Sequence, residues 1–164
     1  MLALIAWGII STAAAVGPGT GDVDVPASQM ASAKVNASGG GAGTGIPSLA
    51  SIWTQPLDPS DRNKYGMDWA PVLGDETIAT IESITMSALG ASLGVQVDSD
   101  ADRIPIIDTQ GQKVQLWFKV DPSFKNNAAF SDPGTRVAVS VLIKTDSTPY
   151  RELERTWVLT VLQQ

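Results

Sequence analysis

The sequence predicts an all-β protein, an antiparallel β-sandwich that carries a long extended N-terminal arm. Three observations support this prediction. Short segments in the second half alternate apolar and polar residues, Asp-Pro and Gly-containing turns separate them, and no long stretch repeats apolar residues at a helical period. Short strands at such spacing are typical of a sandwich. We therefore divide the chain into an apolar and Gly/Ala/Ser-rich arm, residues 1–50, and a β-sandwich domain, residues 51–164.

The clearest strand prediction covers residues 113–120. Four apolar residues at its even positions share one face, and Trp117 lies on the other face. A glycine at position 111 predicts a hairpin turn that joins this strand to a shorter one at residues 104–107. Further strands are predicted at residues 77–86, 95–97, 136–144 and 155–162. Helix is confined to residues 87–93 or to the first sixteen residues.

The first sixteen residues, MLALIAWGIISTAAAV, are almost entirely apolar. No Lys or Arg precedes the apolar run, which argues against a signal peptide, and the run is shorter than the roughly 20 residues of a membrane span. We therefore predict an arm buried against protein, either against its own sandwich or against a neighbouring chain. The expected contact residues are Leu2, Leu4, Ile5, Trp7, Ile9 and Ile10.

Residues 17–48 consist mainly of Gly, Ala, Ser and Thr. Such a composition is typical of a flexible linker. It also suits an extended arm that becomes ordered only on assembly, because small residues allow close backbone approach and an interface offsets the ordering entropy. We favour the second interpretation.

Composition removes several classes of function. The chain has no His and no Cys, so Ser-His-Asp and Cys-His nucleophile systems and the usual zinc sites are excluded. The net charge is −6 and there is no basic stripe, which argues against nucleic-acid binding. Charged residues make up only 17% of the chain, which suggests that neighbours cover much of its surface. We predict a protein that is not an enzyme and that needs no cofactor.

Residues 98–102 read DSDAD, with carboxylates at alternate positions as in calcium-binding loops. An EF-hand needs Gly at its sixth position and Glu at its twelfth, and here those positions hold Arg103 and Thr109. A solvated acidic loop is the favoured interpretation. A simpler calcium site in a loop between strands stays open as the alternative.

Glu152 and Glu154 lie two residues apart and therefore share one face of a strand. Paired carboxylates serve in glycoside hydrolysis, but Arg151 and Arg155 offer simple ion pairs. We favour a charged edge that discourages stray strand pairing or sets the register between subunits. Trp117 is the best aromatic interface candidate, since large aromatic residues are enriched at binding hot spots.

Two separated segments resemble a known family. The first opens with Asp58-Pro59, continues through Tyr65, Asp68 and Trp69, and ends in LGDETIAT at residues 73–80. The second is YRELERTWVLTV at residues 150–161, which contains Trp157. Both are similar, in the same order, to small virion proteins of tailed bacteriophages described as fibre–tail adaptors or head-tail structural proteins. The resemblance covers residues 53–164, and the stretch between residues 90 and 130 is longer than the family leads us to expect.

The resemblance implies an immunoglobulin-like sandwich, with Trp69 and Trp157 as core anchors, and brings no catalytic residues. It implies a structural virion protein that connects fibres to the tail or neck and binds other virion proteins and copies of itself in a ring, without nucleic acid or membrane. A capsid decoration protein, which would use the same sandwich on a capsid lattice, is one alternative. A secreted or surface-anchored binding module is the other.

Overall fold

The computed structural model describes residues 18–35 and 50–164, which form two β-sheets joined by loops and short helices. The predicted arm contacts at residues 2–10 lie outside the described residues. Ten strands are described, in chain order: β1 Gly19–Gly21, β2 Met30–Ser32, β3 Ser51–Ile52, β4 Arg62–Asp68, β5 Ile78–Met86, β6 Val95–Val97, β7 Ile106–Asp108, β8 Lys113–Val120, β9 Thr135–Thr145 and β10 Glu152–Val161.

The first sheet has six strands, and its order is β1-β7-β8-β4-β2, with β6 also paired to β8. Strands β6 and β7 share the same edge of β8: Val95 to Val97 pair with its second half, and Ile106 and Ile107 pair with its first half. The chain between them, residues 98–105, begins beside β8, where the amide of Asp98 donates to the carbonyl of Trp117 at 2.8 Å. The second sheet has four strands in the order β3-β10-β9-β5.

The two sheets enclose one core. Its largest fully buried side chains include three tryptophans, Trp53, Trp69 and Trp157. The rings of Trp69 and Trp157 lie 4.9 Å apart between centroids, which joins the first sheet to the second. Tyr65 from β4 packs 5.7 Å from Phe118 of β8, and both contact Trp53. The all-β prediction is therefore confirmed.

The long pairings are antiparallel, as predicted: β4 with β8, β9 with β10, and β5 with β9. Three short pairings are parallel, namely β1 with β7, β2 with β4, and β3 with β10. The expectation of a purely antiparallel sandwich is wrong in this respect. The reason is that these three-residue and two-residue strands reach the sheets by loops rather than by hairpins.

Residues 18–35 belong to the sheets although they lie within the segment predicted as an arm. Strand β2 pairs with β4, and Ala31 and Ala33 are buried in the core. The indole nitrogen of Trp157 donates to the carbonyl of Ala31 at 3.2 Å. Among the described residues, the packed unit therefore begins at residue 18 and not at residue 51.

Local signals in the sequence explain the connections. Gly111 has a φ of 67°, a conformation that favours glycine, and it closes the predicted hairpin between β7 and β8. Helix α2, Ala88–Ser92, begins after Ser87, whose hydroxyl accepts from the amide of Gly90 as an N-cap. A shorter helix, α1 (Ala70–Leu73), follows β4 directly and was not predicted.

Candidate interaction surfaces

The outer face of the four-stranded sheet carries small polar residues on three adjacent strands. Pairing of β5 with β9 and of β9 with β10 places their outward residues side by side. Six hydroxyl side chains lie on it beside the apolar Ala138, Leu142 and Val158, and we call this surface the hydroxyl-rich face: Thr80, Ser83, Thr85, Ser140, Thr156 and Thr160. Ser140 and Thr156 hydrogen bond to each other at 2.9 Å across the strands.

Charges lie mainly towards the two ends of the hydroxyl-rich face, and Glu82 accepts a hydrogen bond from the hydroxyl of Thr80. Arg136 lies opposite Thr160 at one end of the β9–β10 pair, and Lys144 lies opposite Glu152 at the other end. Glu154 is next to the centre, opposite Leu142. Glu152 and Glu154 therefore share one exposed face of β10, as predicted. Exposed carboxylates on a flat sheet have no enclosed site in which to act as an acid–base pair.

The predicted ion pairs between the two arginines and these glutamates do not form in the structure. Arg151 instead pairs with Glu76, with 2.7 Å between its Nε and the carboxylate. Arg155 donates from Nε to the backbone carbonyl of Lys34 at 3.3 Å. Partial burial, followed by the nearby charge of Arg151, lowers the pKa of Arg155. Both arginines therefore connect β10 to other parts of the chain.

The acidic loop at residues 98–102 is an ion-pair cluster. Asp98 is fully buried, and the ammonium group of Lys119 lies 2.6 Å from its Oδ1. Its Oδ2 has no hydrogen-bond partner among the described residues, but it lies 3.4 Å from a guanidinium nitrogen of Arg62 and 3.8 Å from Nε of Arg103. Three cations thus surround the one buried carboxylate, because burial of a charge is tolerated only when it is paired.

The same cations neutralise the rest of the loop. Asp100 accepts a hydrogen bond from Arg62 at 2.7 Å, and this bond holds the pKa of Asp100 below its usual value. Asp102 lies 3.2 Å from Arg103. The three carboxylates of the loop therefore face three basic side chains, which occupy the place that calcium would need. No group of three or more His, Cys, Asp or Glu residues suited to a metal ion occurs within residues 18–35 and 50–164.

Trp117 lies on the outer face of the six-stranded sheet, opposite the buried residues of β8, as predicted. It is half-buried, and the guanidinium group of Arg103 lies 5.6 Å from its ring centroid. Lys64 of β4 is its direct cross-strand neighbour. Arg103, from the loop between β6 and β7, thus partly covers Trp117.

The residues that carry the family resemblance are structural. Asp58 accepts from the amides of Ser60 at 2.7 Å and Gln164 at 2.8 Å, and these bonds hold its pKa below the usual value. Pro59 is buried beside it. Asp68 accepts from the hydroxyl of Ser32 at 2.8 Å and from the amide of Ala70 at 3.1 Å. The turn at residues 58–60 is thereby fastened to the C-terminus, and the end of β4 to β2.

The aromatic members of the two motifs meet inside the molecule. Trp69 and Trp157 pack in the core with their rings tilted by 57°, and Tyr65 donates its hydroxyl to the carbonyl of Gln55 at 3.3 Å. Burial raises the pKa of the Tyr65 hydroxyl. Both segments thus build one core, which explains why aromatic residues recur in them.

Sequence reasoning did not identify the hydroxyl-rich face. Its signal is present, because Thr and Ser alternate with inward aliphatic residues in the segments predicted as strands at residues 77–86, 136–144 and 155–162. The face emerges only once the order β10-β9-β5 sets these small polar residues next to one another.

Comparison of the chain with protein-family models, with curated proteins and with solved structures found no match. Within the described part of the chain, the helices are too short or too polar to cross a bilayer.

Proposed function

We propose that this chain is a structural virion protein of a tailed bacteriophage, an adaptor that connects fibres to the tail or neck through protein–protein interfaces. We further propose that its two sheets form a sandwich of the immunoglobulin-like type. The observation that carries the proposal is the hydroxyl-rich face, a sheet surface whose middle row, Thr85, Ser140 and Thr156, is uncharged and whose charges lie mainly towards its ends.

Solvated sheet faces are normally polar and rich in charge. Interfaces differ in that charged residues are depleted at their centre and lie at a polar rim. Thr85, Ser140 and Thr156 occupy the centre here, and Arg136 and Glu152 lie towards opposite ends. Arg136 makes one end positive, whereas Glu152 and Glu154 outweigh Lys144 at the other end, and this difference gives a partner a preferred direction of approach.

The family resemblance supports a structural function rather than a chemical one. Its residues are used in the core and at turns, where Trp69, Trp157 and Asp58 hold the fold together. The buried carboxylate of the acidic loop is committed to ion pairs with Lys119, Arg62 and Arg103. The acidic loop is therefore engaged in ion pairs, and Glu152 and Glu154 lie exposed on the hydroxyl-rich face.

The proposed assembly is a ring of several copies. Tails have rotational symmetry, and heterologous contacts that close on themselves generate rings. In such a ring, the hydroxyl-rich face contacts a neighbouring subunit or a fibre, and the outer face of the six-stranded sheet, with Trp117, is the second surface.

Quantitative mass spectrometry of purified particles tests the proposal. We expect this chain to be present at a few to about a dozen copies, as cyclic symmetry of a tail or neck requires. Hundreds of copies would instead identify a capsid decoration protein. Absence from particles, with recovery of the chain from the culture medium, would overturn the virion proposal and leave a secreted binding module.

A further inference from the structure

Residues 18–35 supply both outer strands of the six-stranded sheet. Strand β1 pairs with β7 at one edge and β2 pairs with β4 at the other, and each pairing is parallel and three residues long. A parallel pairing is not closed by a tight hairpin turn. The segment is therefore held to this sheet by contacts rather than by a short connection, and any copy of the chain offers the same contacts.

Between β1 and β2, the chain crosses the outer face of this sheet. Gly66 of β4 lies on that face, because both of its chain neighbours are buried in the core. A β-carbon at Gly66 would lie 2.5 Å from Cε of Met30 and 3.5 Å from Cβ of Val25. The carboxylate of Asp24 lies 3.5 Å from Nζ of Lys64 on the same face. The crossing chain thus occupies a specific place on the surface, which a residue without a β-carbon leaves free.

Strand β2 anchors the segment to the core and to the end of β4. Ala31 and Ala33 are buried, and the indole of Trp157 donates to the carbonyl of Ala31 at 3.2 Å. On the surface, the hydroxyl of Ser32 donates to Asp68 at 2.8 Å. Exchange of an identical element between copies is a low-cost route to association, because each site keeps the contacts that it has in one molecule.

The connection from this segment to β3 is much longer than a single molecule needs. The hydroxyl of Ser51 donates to the carbonyl of Ser32 at 2.5 Å, and Nζ of Lys34 donates to the carbonyl of Ala50 at 2.9 Å. Neighbouring strands are usually joined by about two to five residues. Here fourteen residues, 36–49, lie between the two described ranges, and five of them are glycines.

The length of this connection suits a crossing to an adjacent copy. Fourteen extended residues span at most about 46–50 Å. A globular domain of about 130 residues has a radius of gyration of about 14 Å and therefore a diameter of about 36 Å. The segment can thus reach the same place on an adjacent copy in a ring, but it cannot reach the copy beyond, at about 70 Å.

Large apolar side chains are exposed at both ends of the connection. Val35, which is 62% exposed, precedes it, and Ile52, which is 48% exposed, follows it. These are two of the four exposed large apolar residues in the described part of the chain. A chain that crosses to a neighbour brings both side chains to the boundary between the two copies. Their burial there contributes about 25 cal/mol for each Å² that is covered.

We propose that residues 18–35 are exchanged between adjacent copies, so that the segment of one copy occupies both edges and the outer face of its neighbour's six-stranded sheet. Each copy gives one segment and receives one, and copies linked in this way close into a ring. A copy leaves such a ring only when two segments detach, which suits an adaptor that bears load. The inference rests on the proposed assembly of several copies and not on its place in a virion.

Mixed chains that each carry one cysteine test the exchange, since the chain has no native Cys. Ser32 of β2 and Asp68 of β4 are direct partners in the sheet. Full chains with Ser32→Cys alone and full chains with Asp68→Cys alone are unfolded in urea, refolded together at millimolar concentration and oxidised. Peptide mapping by mass spectrometry then identifies the linked positions. A link between these two positions joins two different chains and forms when the segment of one lies on the other.

The matched control replaces Asp68→Cys by Thr109→Cys, in an exposed turn that does not contact the segment. We expect the link from position 32 to position 68 to form at least about tenfold more often than the link to position 109, as for a contact with a high effective concentration. Equal yields in the two mixtures would overturn the exchange and assign the segment to its own molecule.

A second pair repeats the test without a change at Asp68, whose carboxylate also accepts from the amide of Ala70. Chains with Asp24→Cys and chains with Lys64→Cys are refolded together and joined by a short bifunctional maleimide, and a lack of linked chains there would also overturn the exchange. Particles that contain the first two variants separate this inference from the proposed function. Presence in particles without the link would overturn the exchange alone, whereas a link in refolded protein that is absent from particles would overturn the virion proposal alone.

Discussion

Three tryptophans anchor the core, but only two of them have a hydrogen-bond partner for the indole N–H among the described residues. Trp53 donates to the carbonyl of Gly66 at 2.8 Å and Trp157 to that of Ala31 at 3.2 Å, whereas Nε1 of Trp69 is buried without a partner. Replacement by Phe should therefore cost about 1 kcal/mol more at Trp53 and Trp157 than at Trp69, since a buried carbonyl loses its donor.

Urea unfolding of Trp53→Phe, Trp157→Phe and Trp69→Phe measures this difference. The three variants remove similar volumes from one core, so each serves as the control for the others. Equal losses in all three would show that packing alone decides the cost. As an absolute reference, Trp69→Ala should destabilise the protein by about 3–5 kcal/mol because it leaves a large cavity.

Asp98 is the residue on which the acidic loop depends. Asp98→Asn keeps the shape of the side chain but leaves Lys119, Arg62 and Arg103 without their buried counterion. We expect the free energy of unfolding, measured in urea, to fall by about 2–3 kcal/mol. The matched control is Asp102→Asn, at a side chain that is 72% exposed, which should stay within about 0.5 kcal/mol. A calcium-binding loop would instead show unfolding that shifts with millimolar calcium in the unchanged chain, and none is expected.

Two turn carboxylates give stability a defined dependence on pH. The amides of Gln164 and Ser60 lower the pKa of Asp58, and the hydroxyl and amide of Thr77 lower the pKa of Asp146. Because the folded pKa lies below the unfolded pKa of about 3.9, this stability is present above pH 4 and is lost as the pH falls through the folded pKa. In the double variant Asp58→Asn and Asp146→Asn, the urea midpoint should therefore change less between about pH 5 and pH 2 than it does in the unchanged chain.

At the scale of the elements, β2 joins the first fifty residues to the core. Removal of residues 1–50 takes away Ala31 and Ala33, the acceptor for the Trp157 indole and the bond from the Ser51 hydroxyl to the Ser32 carbonyl. A chain of residues 51–164 should therefore lack a cooperative unfolding transition, whereas a chain of residues 18–164 should keep one. Circular dichroism during heating compares the two. A cooperative transition in the shorter chain would restore the division at residue 51.

The strands that sequence predicts well are those that bury one face against the core. Strand β8 coincides with the prediction, and β5, β9 and β10 agree within a few residues, because each alternates inward aliphatic residues with outward polar ones. Strand β4, Arg62–Asp68, is not among the predicted strands, the first of which begins at residue 77. Strands β1, β2 and β3 were missed as well. These three are two or three residues long, contain mostly Gly, Ala and Ser, and form only because a longer strand already offers its edge. Long-range pairing of this kind leaves no local period.

The candidate site was harder to predict than the fold for a related reason. Trp117 and the pair Glu152 and Glu154 were placed correctly on outward faces, since alternation fixes the direction of a side chain. The ion pairs of Asp98 and Arg151 could not be predicted. Their partners, Lys119 and Glu76, lie 21 and 75 residues away and meet them only through the order of the strands.

The hydroxyl-rich face, with an uncharged middle row and charges mainly towards its ends, can be tested by a single added charge. Thr85 is exposed near the centre of the hydroxyl-rich face, where a lysine is compatible with the isolated protein. Buried in an interface, the unpaired ammonium would cost several kcal/mol. We therefore expect Thr85→Lys to keep the unfolding midpoint of the unchanged chain but to enter particles at least about tenfold less efficiently when both chains are produced together.

Thr109→Lys, in the exposed turn between β7 and β8, is the matched control and should enter particles as well as the unchanged chain. Mass spectrometry of particles that contain both chains gives the ratio of variant chain to unchanged chain directly. If Thr85→Lys and the unchanged chain enter equally, the hydroxyl-rich face is solvated in the assembly. The interface must then involve the other outer face, at Trp117 and Lys64, where a substitution that adds a charge should reduce entry into particles.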